Sequence, residues 1–304
     1  MPTSVGARAV YLAYRAGAEI ARLIPDPVAQ PAAQALGRTL ALAMPSRRRQ
    51  VERNLRRAAD GRLDGLALRK AVGETFGSYG RYWLELFRLP SEVGGELEMD
   101  LDGYEHLVDG IAGGRGVIAA LPHVGGWDFA GAWLSTQGMP PTVVVEPVDP
   151  PELFEWFASV RRALGMTVVE LGPDAGRAVL QALERNQVVC LLCDRDIAGD
   201  GIEVEFFGER TTLPAGPATL ALRTGAPLLP AAVYFRPRGE HHGTVLPPVD
   251  ARREGRLRDD VARVTQELAH RFEELIRAAP EQWHLMQPNW PSDLATNGAR
   301  EAGS

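Results

Sequence analysis

Cysteine is scarce in this sequence, and its two copies indicate neither a disulfide framework nor a metal site. Cys190 and Cys193 form a single CxxC among 304 residues. No second cysteine pair accompanies them, and the His241-His242 pair is about fifty residues away, so zinc ligation is not indicated. A redox CxxC would normally open a helix, whereas VVCLLCD is typical of a buried strand. We therefore interpret both residues as core cysteines in a reducing compartment.

Long hydrophobic runs are also missing. The apolar stretches near the N-terminus are interrupted by Arg15, Glu19, Arg22 and Pro25 before they reach the roughly 20 residues that a membrane-spanning helix needs. No basic start followed by an apolar run and a cleavage site marks a signal peptide. The net charge of −6 gives no general attraction to nucleic acid. We expect a globular protein that neither crosses a membrane nor binds nucleic acid.

Residues 1–57 nevertheless have the features of a membrane-association region. Segments 7–24 and 27–44 are apolar along one helical face, and six arginines with a single glutamate follow between Ser46 and Arg57. Such helices with a basic cluster favour peripheral binding to a lipid monolayer with anionic headgroups. The alternative is a helical pair that packs on the core and leaves its basic face in solvent.

From about residue 97 onward, short β-rich apolar runs alternate with helical segments. The predicted strands are 116–121, 142–146, 166–171, 188–193, 203–207, 227–235 and 243–249, and the predicted helices are 64–89, 127–137, 151–164, 174–186, 216–224 and 257–278. This alternation indicates an α/β fold with a central, mostly parallel β-sheet flanked by helices on both faces. We predict a single α/β domain over 58–290 and a disordered tail over 291–304.

One histidine and one aspartate, His123 and Asp128, stand in the apolar stretch LPHVGGWDFAG. His123 follows a predicted strand, and open α/β sheets bind ligands beyond the carboxyl ends of their strands. Five residues of continuous helix would turn the two side chains about 140° apart. They can meet only if His123 lies in the loop, where Gly125 and Gly126 give the backbone freedom. Asp128 would then accept from Nδ1 and leave Nε2 as a general base for a hydroxyl, unless both residues only cap the helix.

Other nucleophiles and metal ligands are not indicated. No GxSxG elbow is present, which disfavours an α/β-hydrolase. None of the other histidines has the spacing of a metal ligand, so we expect no metal. These histidines are His106, His241, His242, His270 and His284.

Four further blocks make the His-X4-Asp spacing specific. In chain order they are RRRQVERNL (47–55), VRRALGM (160–166), LLCDRDIAGDGIEVEFFGERTTLPAGPATLALRTGAPLLPA (191–231) and PEQWHLMQPNW (280–290). Together they resemble the late acyltransferases of lipid A biosynthesis. The aspartate after the glycines and the Trp-His-Leu-Met ending are most similar to the actinobacterial phosphatidylinositol mannoside acyltransferases. The N-terminal helix is less hydrophobic than is usual in the lipid A branch, and the FPEGTR-like phosphate-binding block of glycerol-phosphate acyltransferases is missing.

The resemblance implies an acyl-CoA-dependent O-acyltransferase that is peripherally bound to the cytoplasmic face of the cell membrane. It would move a long-chain, palmitoyl-class acyl group to a mannose hydroxyl of a phosphatidylinositol mannoside, without a cofactor. His123 would take the proton of the hydroxyl and Asp128 would orient the imidazole. Two alternatives remain open: a lipid A-type, other glycolipid or lysophospholipid acceptor, and a non-catalytic membrane lipid-binding protein.

The resemblance also implies substrate contacts by charged residues. Glu205 is expected near the acceptor, and Glu203, two positions earlier on the same strand face, is the competing choice. Arg162 is preferred over its neighbour Arg161 for stabilising charge on the donor phosphate or thioester.

Two further features are expected to support the same site. Asp194 and Arg195, in the Asp-Arg block at a strand's carboxyl end, would form an ion pair beside it. Gly125 and Gly126 would bring backbone N–H groups toward the developing oxyanion.

Overall fold

The computed structural model describes residues 5–92 and 97–294, and its elements alternate between strand and helix from residue 100 to residue 192. The helices are α1 Val5–Leu23, α2 Asp26–Ala43, α3 Pro45–Ala58, α4 Gly65–Glu92, α5 Tyr104–Ala112, α6 Trp127–Thr136, α7 Pro151–Ala163, α8 Ala175–Glu184, α9 Gly216–Thr224 and α10 Leu257–Ala278. The strands are β1 Asp100–Asp102, β2 Val117–Leu121, β3 Thr142–Val145, β4 Thr167–Glu170, β5 Val188–Leu192, β6 Ile202–Phe206, β7 Glu209–Leu213, β8 Leu228–Phe235 and β9 His241–Val245.

Seven strands form one sheet in the order β1-β9-β8-β2-β5-β3-β4. Neighbouring strands are parallel except for β8 and β9. The predicted α/β class with a central, mostly parallel sheet is therefore confirmed. The predicted strand 203–207 lies outside this sheet, because β6 pairs with β7 in a separate antiparallel hairpin.

Helices cover both faces of the sheet. α8, α9 and α10 pack on one face, and α5, α6, α7 and part of α4 pack on the other. β2 and β8 lie between the two layers, and every residue of both strands is buried. Side chains of a strand alternate between faces, so a strand covered on both sides needs consecutive apolar residues. This explains the continuous runs VIAAL and LLPAAVYF.

Two short elements and the return strand of the hairpin were not predicted. β1 has three residues at the edge of the sheet, and α5 has nine residues. β7, with the sequence ERTTL, is largely polar. β1 lacks the length and β7 the apolar alternation on which the prediction depends. α5 was missed although it is as long as the predicted helix 216–224.

The N-terminal helices pack on the α/β domain. α2 crosses α4 at Gly37 and Gly80, where an added Cβ would collide with a carbonyl group of the facing helix. Tyr14 of α1 contacts the rings of Trp83 and Phe87 on α4. Packing on the core, considered above as an alternative to membrane association, is therefore realised for one side of these helices.

The basic helix α3 is anchored by polar contacts to the C-terminal segment. Asn54 donates to the carbonyl of Leu285 (2.7 Å), and Gln50 donates to the carboxylate of Asp293 (2.7 Å). Arg57 forms an ion pair with Asp293 (2.9 Å). Part of the arginine cluster is therefore engaged inside the protein rather than facing solvent.

The predicted disordered tail is wrong for its first four residues. Residues 291–294 are helical, and Asp293 is fully buried. The Asp293 carboxylate accepts hydrogen bonds from the backbone N–H groups of Asn289 and Trp290 as well as from Gln50. A buried carboxylate with this many donors orders the segment that carries it. The rest of that prediction, 295–304, lies outside the described residues.

Candidate active site

His123 lies at the carboxyl edge of the sheet, in the loop between β2 and α6. Two backbone hydrogen bonds hold this loop against the C-terminal segment, from His284 N–H to the carbonyl of His123 (2.8 Å) and from Gly125 N–H to the carbonyl of Gln282 (3.0 Å). Gly125 has a φ of 59°, and a Cβ there would collide with the carbonyl of Val233. The prediction that His123 precedes the helix is confirmed.

The imidazole of His123 is oriented by Asp194, not by Asp128. Nδ1 of His123 lies 2.5 Å from Oδ1 of Asp194, which is fully buried just after β5. A carboxylate only accepts, so Nδ1 carries the hydrogen and Nε2 has a free lone pair. The second Asp194 oxygen accepts from the His123 backbone N–H (3.1 Å) and from Nε1 of Trp283 (2.8 Å).

The charge of Asp194 is stabilised in spite of its burial. Burial by itself raises the pKa of this carboxyl group, but the neighbouring His123 and the hydrogen bonds from His123 and Trp283 outweigh it, and the pKa lies below its usual value. Asp194 is therefore an anion that faces the imidazole and holds its tautomer.

The predicted contact between His123 and Asp128 is wrong. Both Asp128 oxygens bind Arg161, at 2.7 Å to Nε and 2.9 Å to Nη2, and the Tyr82 hydroxyl donates to Oδ2 at 2.8 Å. The first turn of α6 directs Asp128 toward α4 and α7 rather than back toward the loop. Burial and Asp128 together raise the pKa of Tyr82 well above its usual value, so its hydroxyl remains a donor.

The two neighbouring arginines have different surroundings. Arg161 lines the cavity described below, with its guanidinium group held by Asp128. Arg162, the preferred candidate for the donor contact, is half exposed, pairs with Glu155 (2.6 Å) and is not part of the cavity wall. The spacing of one residue on a helix turns the two side chains in different directions.

The acidic pair on β6 also lies outside the cavity wall. Glu203 and Glu205 are exposed on the same side of the β6–β7 hairpin, as their spacing predicts. Glu203 pairs with Arg210 of the neighbouring strand (3.3 Å), and the Glu205 backbone is bound by Gln266 of α10. The structure does not bring either carboxylate to His123.

The other two predicted contacts are corrected as well. Arg195 pairs with Glu146 (2.8 Å) and not with Asp194, whose oxygens are used by His123 and Trp283. The N–H of Gly126 donates to the carbonyl of Val233 (3.0 Å), and that of Gly125 is used by Gln282. Neither glycine N–H is available for an oxyanion in this arrangement.

A cavity of about 990 Å³ opens beside His123. This volume is at the upper end of the roughly 300–1,000 Å³ that is usual for ligand sites. Its wall includes residues from both faces of the sheet, and we call the two sets of wall residues its α6 limb and its α8 limb. The α6 limb lies between the sheet and the helices α5 and α6, and apart from the paired Arg161 and Asp128 it is apolar; its wall includes Met99, Leu107, Ala119, Gly131, Leu134 and Met166.

The second limb, the α8 limb, runs along α8 and α9 and contains charged side chains. Residues 216, 217, 219, 220 and 223 of α9 line it, and all except 217 lie on one face of the helix. Arg177 and Arg223 are exposed in its wall, and neither forms an ion pair among the described residues. Glu146, Asp196 and Asp200 line this part of the cavity as well, but Glu146 pairs with Arg195 and Asp196 accepts from the backbone N–H groups of two glycines. The α8 limb thus carries charges of both signs, among them the two arginines without an ion pair.

Trp283 and Tyr82 are site residues whose roles the sequence analysis missed. Trp283 was part of a matching block without an assigned function, and Tyr82 lay in the predicted helix 64–89, also without one. Asp194 was detectable by the same signal as His123, since both directly follow predicted buried strands whose carboxyl ends meet at one edge.

His284 packs against the ring of Trp127, and its imidazole is buried and uncharged. Its ring lies 5.6 Å from that of Trp127, and its Nε2 is 2.9 Å from Oγ of Ser78. Burial, and secondarily the charge of His123, lower the pKa of His284 to about 3. Across the window between about 3 and the unperturbed value near 6.5, the unfolded chain binds a proton that the folded chain excludes.

We expect the free energy of unfolding to decrease as the pH falls from about 6.5 toward 3. Because the unfolded state binds more protons in this window, stability rises with pH, and His284 accounts for about 2 kcal/mol of loss by roughly pH 5. Urea unfolding of the wild type and of His284→Gln at several pH values measures the difference in slope. Equal slopes would contradict the assignment to His284.

The two cysteines are free, and they lie in the core or pack against it. Cys190 lies on β5 and Cys193 follows it. Burial raises the pKa of the Cys190 thiol to about 12 and that of Cys193 well above its usual value. The interpretation as a core cysteine is confirmed for Cys193, whereas Cys190 is partly buried; both residues also belong to the cavity wall. Within 5–92 and 97–294, no group of three His, Cys, Asp or Glu side chains is placed to hold a metal ion.

The chain is similar to known glycolipid enzymes along its length. The pattern of the bacterial lipid A biosynthesis acyltransferase family matches residues 4–292. A phosphatidylinositol mannoside acyltransferase of Mycolicibacterium smegmatis is 36% identical over 306 aligned positions, covering 99% of this chain and 97% of that protein. One of Mycobacterium tuberculosis is 43% identical over 225 positions, covering 72% and 69%. A lipid A biosynthesis acyltransferase of Haemophilus influenzae is 27% identical over 187 positions, covering 60% and 55%. The predicted resemblance is confirmed, and the chain belongs to the bacterial lipid A biosynthesis acyltransferase family.

Proposed function

We propose that this protein transfers a long-chain acyl group from acyl-CoA to a mannose hydroxyl of a phosphatidylinositol mannoside. Its family and the names of its relatives support a glycolipid acyltransferase. The observation that carries the proposal is His123 in the cavity wall, with Nδ1 fixed by a buried carboxylate. Such an imidazole suits a general base, because its tautomer and direction are set before the substrate binds.

The reaction needs only one proton acceptor from the protein. Nε2 of His123 takes the proton of the acceptor hydroxyl while the hydroxyl oxygen attacks the thioester carbonyl. Asp194 stabilises the imidazolium that forms. The tetrahedral intermediate then collapses, the C–S bond breaks, and the proton passes from Nε2 to the leaving sulfur. The products are the acylated glycolipid and the free thiol.

Asp128 and Arg161 have a positioning role in this proposal. Together with Tyr82 they form a buried, hydrogen-bonded group that joins α4, α6 and α7 around the cavity. Tyr82 also stacks on Trp127, with 4.1 Å between ring centroids, and Trp127 contacts the ring of His123. The group therefore supports the wall on which the base lies.

Two arginines of the cavity wall that have no ion pair among the described residues support a phosphate-bearing donor. The α8 limb presents Arg177 and Arg223, and the α6 limb is apolar apart from the paired Arg161 and Asp128. An acyl-CoA has an apolar chain at one end and phosphates at the other, with the thioester between them. A thioester at His123 is compatible with the chain in the α6 limb and the phosphates toward the arginines.

The acceptor is tested by direct assay of purified protein with labelled palmitoyl-CoA. We expect transfer to phosphatidylinositol mannosides and weaker or no transfer to lipid A precursors or lysophospholipids. Preferred transfer to another acceptor would overturn the mannoside assignment. Binding of acyl-CoA and glycolipid without turnover would favour the non-catalytic lipid-binding alternative.

We further propose that the protein binds the anionic cytoplasmic leaflet through α1, α2 and the start of α3. None of the helices within the described residues is long and apolar enough to cross a membrane. Large apolar side chains are exposed on α1 and α2, including Leu12, Leu23, Leu36 and Leu42. Tyr14 of α1 contacts Trp83 and Phe157, which both line the cavity. A membrane at α1 would therefore lie beside the site.

Removing the arginines at the start of α3 is expected to weaken membrane binding. Arg47→Ala, Arg48→Ala and Arg49→Ala combined should lower affinity for anionic vesicles about tenfold or more and reduce its salt sensitivity. Sedimentation with phosphatidylinositol-containing vesicles measures this. The matched control changes Arg252, Arg256 and Arg258, three exposed arginines around the start of α10, to alanine. Equal binding by both triple variants would contradict the assigned surface.

A further inference from the structure

Gly131 of α6 packs against the side chain of Met166, which directly precedes β4. Gly131 is buried in the interior of the helix, where glycine is less stable than alanine. A Cβ added to Gly131 would lie 2.5 Å from Cε and 2.8 Å from Sδ of Met166, closer than these atoms can remain. The missing side chain therefore leaves the room in which Met166 lies against α6.

Both residues line the α6 limb of the cavity. Met166 directly precedes β4 and is 4% exposed. Gly131 lies four residues beyond Trp127, so the contact is about 6 Å deeper along the helix than the ring that touches His123. The wall around it is apolar, with Trp133, Leu134 and Leu107 as further members. The contact thus lies in the wall of the apolar limb, away from the reacting atoms.

We propose that the contact between Gly131 and Met166 sets the length of the acyl chain that the α6 limb accepts. This inference rests on the proposed acyl transfer and assigns the acyl chain to this limb. Methionine is unbranched and flexible, so its end moves when a neighbour grows. The protein interior is otherwise close-packed, so the space open to the displaced end is the cavity that both residues line. There it occupies volume that the end of a long chain needs and that a short chain does not reach.

The test measures kcat/KM for saturated acyl-CoA donors of increasing chain length with a fixed glycolipid acceptor. Gly131→Ala should lower kcat/KM about tenfold or more for the longest donor that the wild type uses and leave the shortest unchanged. Met166→Ala should extend the profile toward longer donors. The double variant should recover use of the long donor, because the flexible end that Gly131→Ala displaces is gone.

A matched glycine elsewhere controls for the substitution itself. Gly73 lies in α4, where an added Cβ meets nothing within 4 Å, so Gly73→Ala should keep the wild-type chain-length profile. A Gly131→Ala enzyme with an unchanged profile, or with the same loss for all donors, would overturn the inference and leave the proposed function standing. Failure of the double variant to recover the long donor would also overturn it. A wild type that transfers no acyl group from any donor would overturn the proposed function instead.

Discussion

Replacing His123 with alanine is expected to reduce acyl transfer by about 10²–10⁴-fold or more, the range that a positioned general base contributes. The imidazole lines the cavity, and no other histidine is part of the cavity wall. Its Nδ1 is held by Asp194, so the lost group is the one whose Nε2 is available to a hydroxyl. The measurement is the initial rate of transfer from labelled acyl-CoA to a phosphatidylinositol mannoside.

The fold and membrane binding should be retained in His123→Ala. The side chain is about a quarter exposed, and its loss leaves the backbone bonds of the loop in place. His270→Ala serves as the control, since His270 is exposed on α10 outside the cavity wall, and it should transfer at the wild-type rate. Retained turnover by a folded His123→Ala protein would eliminate this residue as the base.

Asp194→Asn is expected to be the second largest loss, about 10³–10⁴-fold in kcat with a folded protein. Asparagine keeps the shape of the side chain, but its amide can donate to Nδ1 and so favour the tautomer in which Nε2 carries the hydrogen and cannot accept a proton. Oδ1 of asparagine can still accept from Trp283 and from the His123 backbone. The rate of transfer and the unfolding midpoint are measured for the same preparation.

Asp128→Asn should lower the stability of the protein more than Asp194→Asn does, and its kcat less. It leaves the buried guanidinium of Arg161 without its charge partner, and breaking such a pair typically costs about 3–5 kcal/mol of stability. We therefore expect a clearly lower urea midpoint and, under folding conditions, a smaller loss of kcat than in Asp194→Asn. A stable Asp128→Asn protein with the larger loss of kcat would return the orienting role to Asp128.

Much of the fold was predictable, because it depends on local patterns. The predicted helices 216–224 and 257–278 have the observed bounds of α9 and α10. The continuous apolar run of β2 indicated a strand covered on both faces, and its carboxyl end indicated where His123 would lie. Gly125 marked the turn that keeps His123 out of the helix, and its positive φ agrees with that prediction.

The partner of His123 was not predictable from spacing. Asp128 is five residues away in the chain, but the helix that begins at Trp127 turns it toward Arg161. Asp194 is 71 residues away, and it reaches His123 because β2 and β5 are parallel neighbours in register, with Leu121 opposite Leu192. Two chain segments that leave adjacent parallel strands at the same level emerge side by side.

The sequence by itself determined the fold class, the position of His123 at the end of a strand and the family to which the chain belongs. These follow from periodicity, glycine positions and ordered motifs, all of which are local. Only the tertiary structure decided that Asp194 orients the imidazole, that Asp128 holds Arg161, and that Gly131 makes room for Met166. These hydrogen bonds and packing contacts depend on the order of the strands in the sheet and on which helices pack together. The spacing of nearby residues in the chain predicts neither the strand order nor the helix packing.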